Sequence, residues 1–277
     1  MFDSVTVYVI LIIREEKIDF FREALGSMNS RLSGMILSIT DLIFPNRCHF
    51  CSEPLIKRCC ICNECQDDLE LITKWYCSRC GAPLTAVFKK QRDNCSQCED
   101  LIFTFGKNES LGVFTGKLRE LIHLYKFNKR RSLYRFFSRL IIQNKRSFIL
   151  SHDILIPVPL NRARYSERGF NQSFLIAREI AKAINMNFYG SILDRKGKSN
   201  PQSSIASRNE RLINICDVFT VKNKWEKTIA GRNVLLFDDV LTTGATVSVC
   251  AEALYKSGAN NVDVLTIARS LMEPSTV

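Results

Sequence analysis

The amino-acid sequence predicts an α/β protein, a mostly parallel sheet with helices on both faces, preceded by a small cysteine-rich module. Three observations carry this reading. Short apolar runs alternate with helical patterns in the C-terminal part of the chain. One of those runs, Val234-Leu235-Leu236-Phe237, ends on two adjacent aspartates, as a strand buried on both faces does at an open sheet edge. Ten of the twelve cysteines crowd between residues 48 and 98.

At 277 residues, 46% hydrophobic and 24% charged, the chain holds enough apolar material for one sizeable core and a smaller module, which excludes a disordered protein. Near the start, Val5 to Ile13 is apolar, but a spanning helix needs about twenty such residues. Asp3 precedes the run and Arg14-Glu15-Glu16 follows it, with no basic start and no small-residue cleavage site. A protein that is not transmembrane and works in the cytoplasm is therefore expected. Residues 1–40 read as an N-terminal extension, with Met28 and Met35 as alternative starts.

Residues 41–103 form the cysteine-rich unit. Four Cys-x-x-Cys pairs stand there: CHFC from 48, CNEC from 62, CSRC from 77 and CSQC from 95. A reducing cytosol disfavours disulfides, whereas a two-residue spacer lets a tight turn present both sulfurs to one tetrahedral ion. Pairing in sequence order assigns Cys48, Cys51, Cys62 and Cys65 to one structural zinc and Cys77, Cys80, Cys95 and Cys98 to a second. Cys59 and Cys60 offer alternatives to Cys62, and an interleaved pairing stays open. Cys216 and Cys250 stand alone on apolar backgrounds and read as buried small residues.

The segment TFGKNESLGVF, residues 104–114, reads as the junction to a second unit at 112–272. Candidate strands there are Ile154 to Val158, Phe188 to Leu193, Val218 to Val221, Val234 to Asp238 and Val262 to Ala268. Between them, Ser173 to Asn185 places Phe174, Ala177, Ile180, Ala181 and Ile184 on one helical face. Ligands of such sheets sit at the strand C-termini, where Asp238 and Asp239 fall. After them Thr242-Thr243-Gly244-Ala245-Thr246 leads into a helix that stops at Gly258. A strand, a small-residue loop and a helix N-terminus make an anion site. Carboxylates beside it suit a ligand that carries hydroxyls or a divalent metal as well as phosphate, as a ribose 5-phosphate does.

FDDVLTTGAT resembles the phosphoribosyl-pyrophosphate signature of type I phosphoribosyltransferases. The resemblance implies that Asp238 and Asp239 hold ribose hydroxyls, that Thr242, Thr243, Gly244, Ala245 and Thr246 hold the 5′-phosphate, and that the ligand is phosphoribosyl pyrophosphate (PRPP) or ribose 5-phosphate with magnesium. A fold of this kind does not name its activity. After the strand ILIPV, the loop PLNRARYSERGFNQS crowds Arg162, Arg164 and Arg168 before Gly169, where they can reach a pyrophosphate or a nucleic-acid backbone. This loop, with Arg168-Gly169-Phe170-Asn171-Gln172, resembles the hallmark of the ComF family of competence-associated proteins. The downstream block with Gln202, Arg211, Asn214 and Phe219, the ribbon opening LIFPNRCHFC and the phrase LRELIHLYKF are similar to that family as well, so the resemblance covers about residues 40–270. It implies a role in natural transformation, where imported single-stranded DNA is handled beside the inner-membrane uptake machinery. By position Asn161 and Arg162 match the pyrophosphate loop of the enzymes. No catalytic residue or acceptor is implied, and the Arg168–Gln172 block receives no role.

Charge supplies an independent line. The formal net charge is +11, and residues 117–168 hold thirteen lysines and arginines against three acids. YKFNKRRSLYRFF interleaves that charge with rings, of which Phe136 and Phe137 share a helical stripe with Leu133, Leu140 and Ile141. Lys126, Lys129, Arg130, Arg131 and Arg135, with Arg164 and Arg168, are the expected DNA-binding residues, and an exposed Tyr125 or Tyr134 would stack on bases. Three classes follow: a factor that handles nucleic acid and keeps the pocket as sensor or relic, a working phosphoribosyltransferase with an unidentified acceptor, or a regulator on the same fold. The first is preferred, because the basic segment and cysteine module exceed what a small-molecule enzyme needs.

Overall fold

Runs of valine, isoleucine and leucine build the strands on which everything else is arranged. The structure, a computed structural model, describes residues 47–55, 60–84, 95, 96, 98, 101–127, 130–195 and 219–271. The N-terminal extension with its Val5 to Ile13 run, Cys59, Lys129, Cys216, Val218, and the block with Gln202, Arg211 and Asn214 lie outside the described residues. Strands β1 (Asn108–Val113), β2 (Ile154–Pro157), β3 (Asn187–Phe188), β6 (Asn233–Leu241) and β7 (Asn261–Arg269) form a parallel five-stranded sheet in the order β1-β7-β6-β2-β3. Strands β4 (Leu193–Arg195) and β5 (Phe219–Val221) pair antiparallel apart from it.

The period of two in the strands divides the core. Leu155, Leu235, Phe237, Leu265 and Ile267 pack with buried residues of α2 (Gly116–Phe127), α3 (Leu133–Leu150) and α5 (Gln172–Ile184). Ile154, Ile156, Val234, Leu236, Val262 and Val264 pack with α7 (Ala245–Lys256) on the opposite face. Short helices α1 (Asn63–Asp67), α4 (Arg162–Arg168) and α6 (Glu226–Ile229) complete the set. All five members of the expected Leu133–Ile141 stripe are buried in α3. Asn171 and Asn185 cap α5, the latter in the left-handed region at φ 56°.

Three expectations change in detail. The strand expected over Phe188 to Leu193 divides into β3 and β4, because Gly190 turns the chain against the Phe174 ring, which leaves no room for a Cβ. Strand β6 does not stop at Asp238 but continues to Leu241, since Val240 and Leu241 stay in register with Ala268 and Arg269. The expected junction contains β1, so the sheet begins at Asn108. Its polar residues hid it: Asn108 and Ser110 are buried and bonded, Asn108 Nδ2 to Cys80 O at 3.0 Å and Ser110 Oγ with Thr266 Oγ1 at 2.7 Å.

The cysteine-rich unit closes the β1 edge. Glu70 to Ile72 runs antiparallel to β1, with Ile72 N donating to Leu111 O and Val113 N donating to Glu70 O, both at 2.9 Å. The approach is close enough that a Cβ on Gly112 would lie 2.6 Å from Glu70 O. A parallel edge that would otherwise recruit another strand is thereby satisfied.

Candidate functional site

Asp238 and Asp239 stand near the C-terminal end of β6, each held by a different helix. Ser173 Oγ of α5 donates to Asp238 Oδ1 at 3.1 Å, and the Asp239 amide donates to the same oxygen at 2.8 Å. Lys126, in the last turn of α2, pairs its Nζ with Asp239 Oδ1 at 2.9 Å, and both side chains are largely enclosed. Burial, and then the neighbouring Asp239 charge, push the Asp238 carboxyl up to about 7; the Asp239 amide, Lys126 and Ser173 oppose that rise. A carboxyl poised near neutrality at the mouth of a parallel sheet is a mark of a binding or catalytic site.

The loop that follows leads directly into a helix N-terminus. Thr242 and Thr243 are exposed, Gly244 takes φ 77°, and α7 starts at Ala245 with no side-chain cap. The Ala245 amide donates to Thr243 Oγ1 at 3.5 Å, and the positive end of the helix dipole lies behind the loop. Beneath the loop lies Arg269, fully buried, whose Nη1 donates to the carbonyls of Leu241, Thr242 and Ser270. Its Nε and Nη2 have no partner among the described residues. A guanidinium without a carboxylate there holds the loop entry and adds positive charge below it. From the ribbon side, Phe103 packs so closely on Gly244 that a Cβ there would sit 2.5 Å from its ring.

The loop after β2 reaches the same edge, since Pro157 is in register with Phe237. Asn161 Oδ1 accepts from the Arg164 amide at 2.7 Å and so caps α4, where Arg162 is the first residue. Arg195 of β4 is a member that sequence reasoning missed. Burial, then the Arg164 guanidinium, holds its pKa below the usual arginine value, and its charge is felt at Cys250 together with that of Asp238. Ser173 and Arg269 were missed too; a charge ending the apolar run VLTIAR was the available signal for the second.

The Arg168–Gln172 block, which had no assigned role, is the hinge between α4 and α5. Gly169 closes α4 at φ 77°, Phe170 enters the core beside Tyr125, and Asn171 accepts from the Phe174 amide. Arg168 lies over the Phe127 ring at 5.1 Å and donates to Gln172 Oε1 at 3.2 Å.

The basic segment does not form one free face. Lys117 pairs with Asp68 at 2.6 Å, Lys145 is buried against Glu109 at 3.3 Å, and Lys126 belongs to the acid pair. Exposed guanidiniums backed by rings include Arg131 over Phe170 at 5.3 Å, Arg135 over Tyr134 at 4.9 Å, Arg139 over Phe136 at 5.9 Å and, on α2, Arg119 over Phe114 at 5.8 Å; Arg146 is exposed too. Arg130 is half-buried and Arg164 exposed. The expectation of a stacking tyrosine at 125 or 134 is corrected. Tyr125 is fully buried with its hydroxyl donating to Gln172 O at 2.9 Å, and Tyr134 is 8% exposed, because both rings fill the helix–helix core. The exposed rings are Phe127 and Tyr165, at 51% and 54%.

The cysteines gather in sequence order. The sulfurs of Cys48, Cys51, Cys62 and Cys65, and those of Cys77, Cys80, Cys95 and Cys98, each lie within 4.8 Å of one another. Measured separations are 3.6 Å for Cys51–Cys62, 3.5 Å for Cys80–Cys95 and 3.8 Å for Cys77–Cys98. A tetrahedron with Zn–S bonds of about 2.3 Å has edges of about 3.8 Å, so both sets fit zinc with no position left for water. The first knuckles of the two sets repeat each other. Cys48 N donates to Glu53 O and Cys77 N to Ala82 O, both at 2.8 Å, while Ser52 and Gly81 hold left-handed backbone. Cys60 stays outside the first set.

Residues 39–99 match the double zinc ribbon domain. DNA utilization protein YhgH of Escherichia coli O157:H7 is 28% identical over 236 residues, covering 83% of this chain and all of that protein. Competence protein ComFC of Bacillus subtilis is 28% identical over 225 residues, 76% of this chain and 84% of the relative. The chain is a homologue of proteins named for DNA utilization and competence. Among solved structures, adenine phosphoribosyltransferase from Saccharomyces cerevisiae is similar at 17% identity, over 52% of this chain and 72% of that one, with a TM-score of 0.33.

Two outcomes follow from this geometry. A carboxyl raised from 3.8 to about 7 favours the folded state while protonated, so its charging opposes folding as pH rises from about 4 and does so in full above about 7. Asp238→Asn should leave the melting temperature unchanged near pH 4 and stabilise the fold above pH 7 by roughly 1–3 kcal/mol, checked by thermal unfolding across that range. Elemental analysis of the purified chain should give two zinc ions, and of Cys77→Ala one, with chelation unfolding the ribbon before the sheet.

Proposed function

We propose that this protein is a cytoplasmic ComF-type factor of DNA uptake that binds single-stranded DNA and a phosphoribosyl ligand, PRPP or ribose 5-phosphate with magnesium, and carries two structural zinc ions. The observation that carries the reading is the Lys126–Asp239 ion pair. It ties the end of α2, within the basic segment, directly to the acid pair. A ligand at Asp239 competes with Lys126, and a strand held by the neighbouring arginines acts on the same helix end, so the two ligands share one element. The names of the relatives, DNA utilization and competence proteins, support the role in DNA handling. Among the described residues no helix is long and apolar enough to cross a membrane, so contact with the inner-membrane uptake machinery would be peripheral.

In this reading Asp238 and Asp239 accept from the ribose hydroxyls, and the Thr242–Thr246 loop donates to the 5′-phosphate above Arg269. Arg131, Arg135 and Arg139 neutralise backbone phosphates, and the exposed Phe127 and Tyr165 offer faces to bases. A working transferase with an unidentified acceptor is the second reading. Asp238, poised near neutrality beside the anion loop, favours it, and release of pyrophosphate from PRPP in the presence of DNA or free bases would establish it.

Calorimetry with PRPP and magnesium should show binding that Asp239→Ala weakens at least about tenfold; no heat up to millimolar ligand would remove the phosphoribosyl part of the proposal. For DNA, anisotropy of a labelled single strand should fall with salt at a log–log slope of about −3.5 if roughly five phosphates are neutralised. Arg131→Ala, Arg135→Ala and Arg139→Ala together should flatten that slope by about two units, and Tyr165→Ala should weaken binding with the slope unchanged. A triple variant that behaves as the parent at every salt concentration would leave the transferase as the better reading.

A further inference from the structure

A second cavity lies between the ribbon and the N-terminal end of the sheet. It has a volume of about 470 Å³ and is lined by ribbon residues from Lys74 to Ser78, by Lys107 and Glu109 at the start of β1, by the end of α3 and by Asp263. That volume falls within the range of about 300–1,000 Å³ typical of small-molecule sites. It is separate from the acid pair: Asp263 precedes Thr266, the register partner of Asp238, by about 10 Å along β7.

The chemistry of the lining is unequal. Its two acids are already engaged. Glu109 accepts from Tyr76 Oη at 2.9 Å and pairs with Lys145 at 3.3 Å, while Asp263 accepts from the Lys107 amide at 2.8 Å and faces His152 Nε2 at 3.1 Å. The two lysines are not: among the described residues neither the Lys74 nor the Lys107 ammonium has an ion-pair partner, and both side chains are exposed. Between them stands Trp75, 43% exposed and held at φ 53°, a backbone conformation that few bulky residues adopt. Tyr76 and Phe148 add apolar walls, and Ser151, whose hydroxyl donates to Phe148 O at 2.8 Å, keeps lone pairs that can accept. Aromatic faces, two unneutralised cations and small polar groups around one cavity match a planar base joined to a phosphate.

The geometry points to this seam as a nucleotide-binding site, with the base against Trp75 and the phosphate at Lys74 and Lys107. The ligand is either a free mononucleotide or one unit of a single strand passing over the ribbon; the recognition chemistry is the same. The inference does not depend on the phosphoribosyl pocket or on the arginine row of α3.

The chain has two tryptophans, so a Trp225→Phe background leaves Trp75 as the sole indole reporter. Titration of that zinc-loaded chain with adenosine 5′-monophosphate, and separately with an oligothymidylate, should give saturable quenching of Trp75 emission. Saturation by the mononucleotide identifies a free nucleotide, and saturation by the oligomer alone identifies a unit of a strand. Replacing Lys74 and Lys107 together by Ala, both exposed and remote from the core, should weaken it at least about tenfold, while Asp239→Ala should leave it unchanged. Absence of saturation with either probe to millimolar concentration, quenching indifferent to the two lysines, or quenching lost in Asp239→Ala would overturn the assignment. If anisotropy detects no DNA while mononucleotide quenching persists, the DNA proposal fails and the seam site stands.

Discussion

Backbone hydrogen bonds between β1 and the ribbon, Ile72 N to Leu111 O, Val113 N to Glu70 O and Asn108 N to Arg79 O, hold the ribbon to the sheet, and the rest of the architecture depends on that pairing. Strand β1 lies at the edge of a parallel sheet and needs a partner for its free amides and carbonyls. Glu70 to Ile72 lies between the two cysteine sets, so satisfying the edge sends the first set toward the face covered by α2, α3 and α5 and the second toward the face covered by α7. The segment leaving the second set then carries Phe103 onto Gly244. The cysteine-rich module thereby braces the threonine-glycine loop.

Charge at the C-terminal end of the sheet is balanced rather than accumulated. Two carboxylates at the end of a buried strand repel each other and lose hydration, which is why Asp238 is driven toward its neutral form. Lys126 offsets part of that at Asp239, and Arg269, with no carboxylate partner among the described residues, sits under the neighbouring loop. Positive and negative groups are thus sorted over a few residues, with acids where hydroxyls or a cation would be received and donors where a phosphate would be received. The same economy runs through the basic segment, where Lys117, Lys126 and Lys145 are each taken up by a carboxylate while Arg131, Arg135 and Arg139, before and along α3, present an outward row backed by rings.

Much of the site was legible because its parts are contiguous. The acid pair and the threonine-glycine loop follow each other within one strand-loop-helix unit, and each Cys-x-x-Cys pair is a local turn. The edge strand was not legible: Asn108, Glu109 and Ser110 bond to Cys80, Tyr76 and Thr266, partners that no periodicity reveals. Nor was the fate of Tyr125 and Tyr134, since a ring beside arginines reads the same whether it faces solvent or the next helix. Buried polar residues and buried rings are decided by what packs against them.

By itself the sequence determined the chemistry that lies within a few residues: the sulfur spacing, the alternation that makes a two-faced parallel sheet, the carboxylates at the end of β6 and the small residues that let a backbone approach an anion. Tertiary structure alone decided which distant groups meet them. Ser173 reaches Asp238 from α5, Lys126 reaches Asp239 from α2, and Arg269 supports Thr242 from β7, each across an element boundary. The physical reason is range. Propensity, turn chemistry and ligand spacing act through neighbouring backbone, whereas desolvation and ion pairing depend on the distances that packing of the whole chain creates.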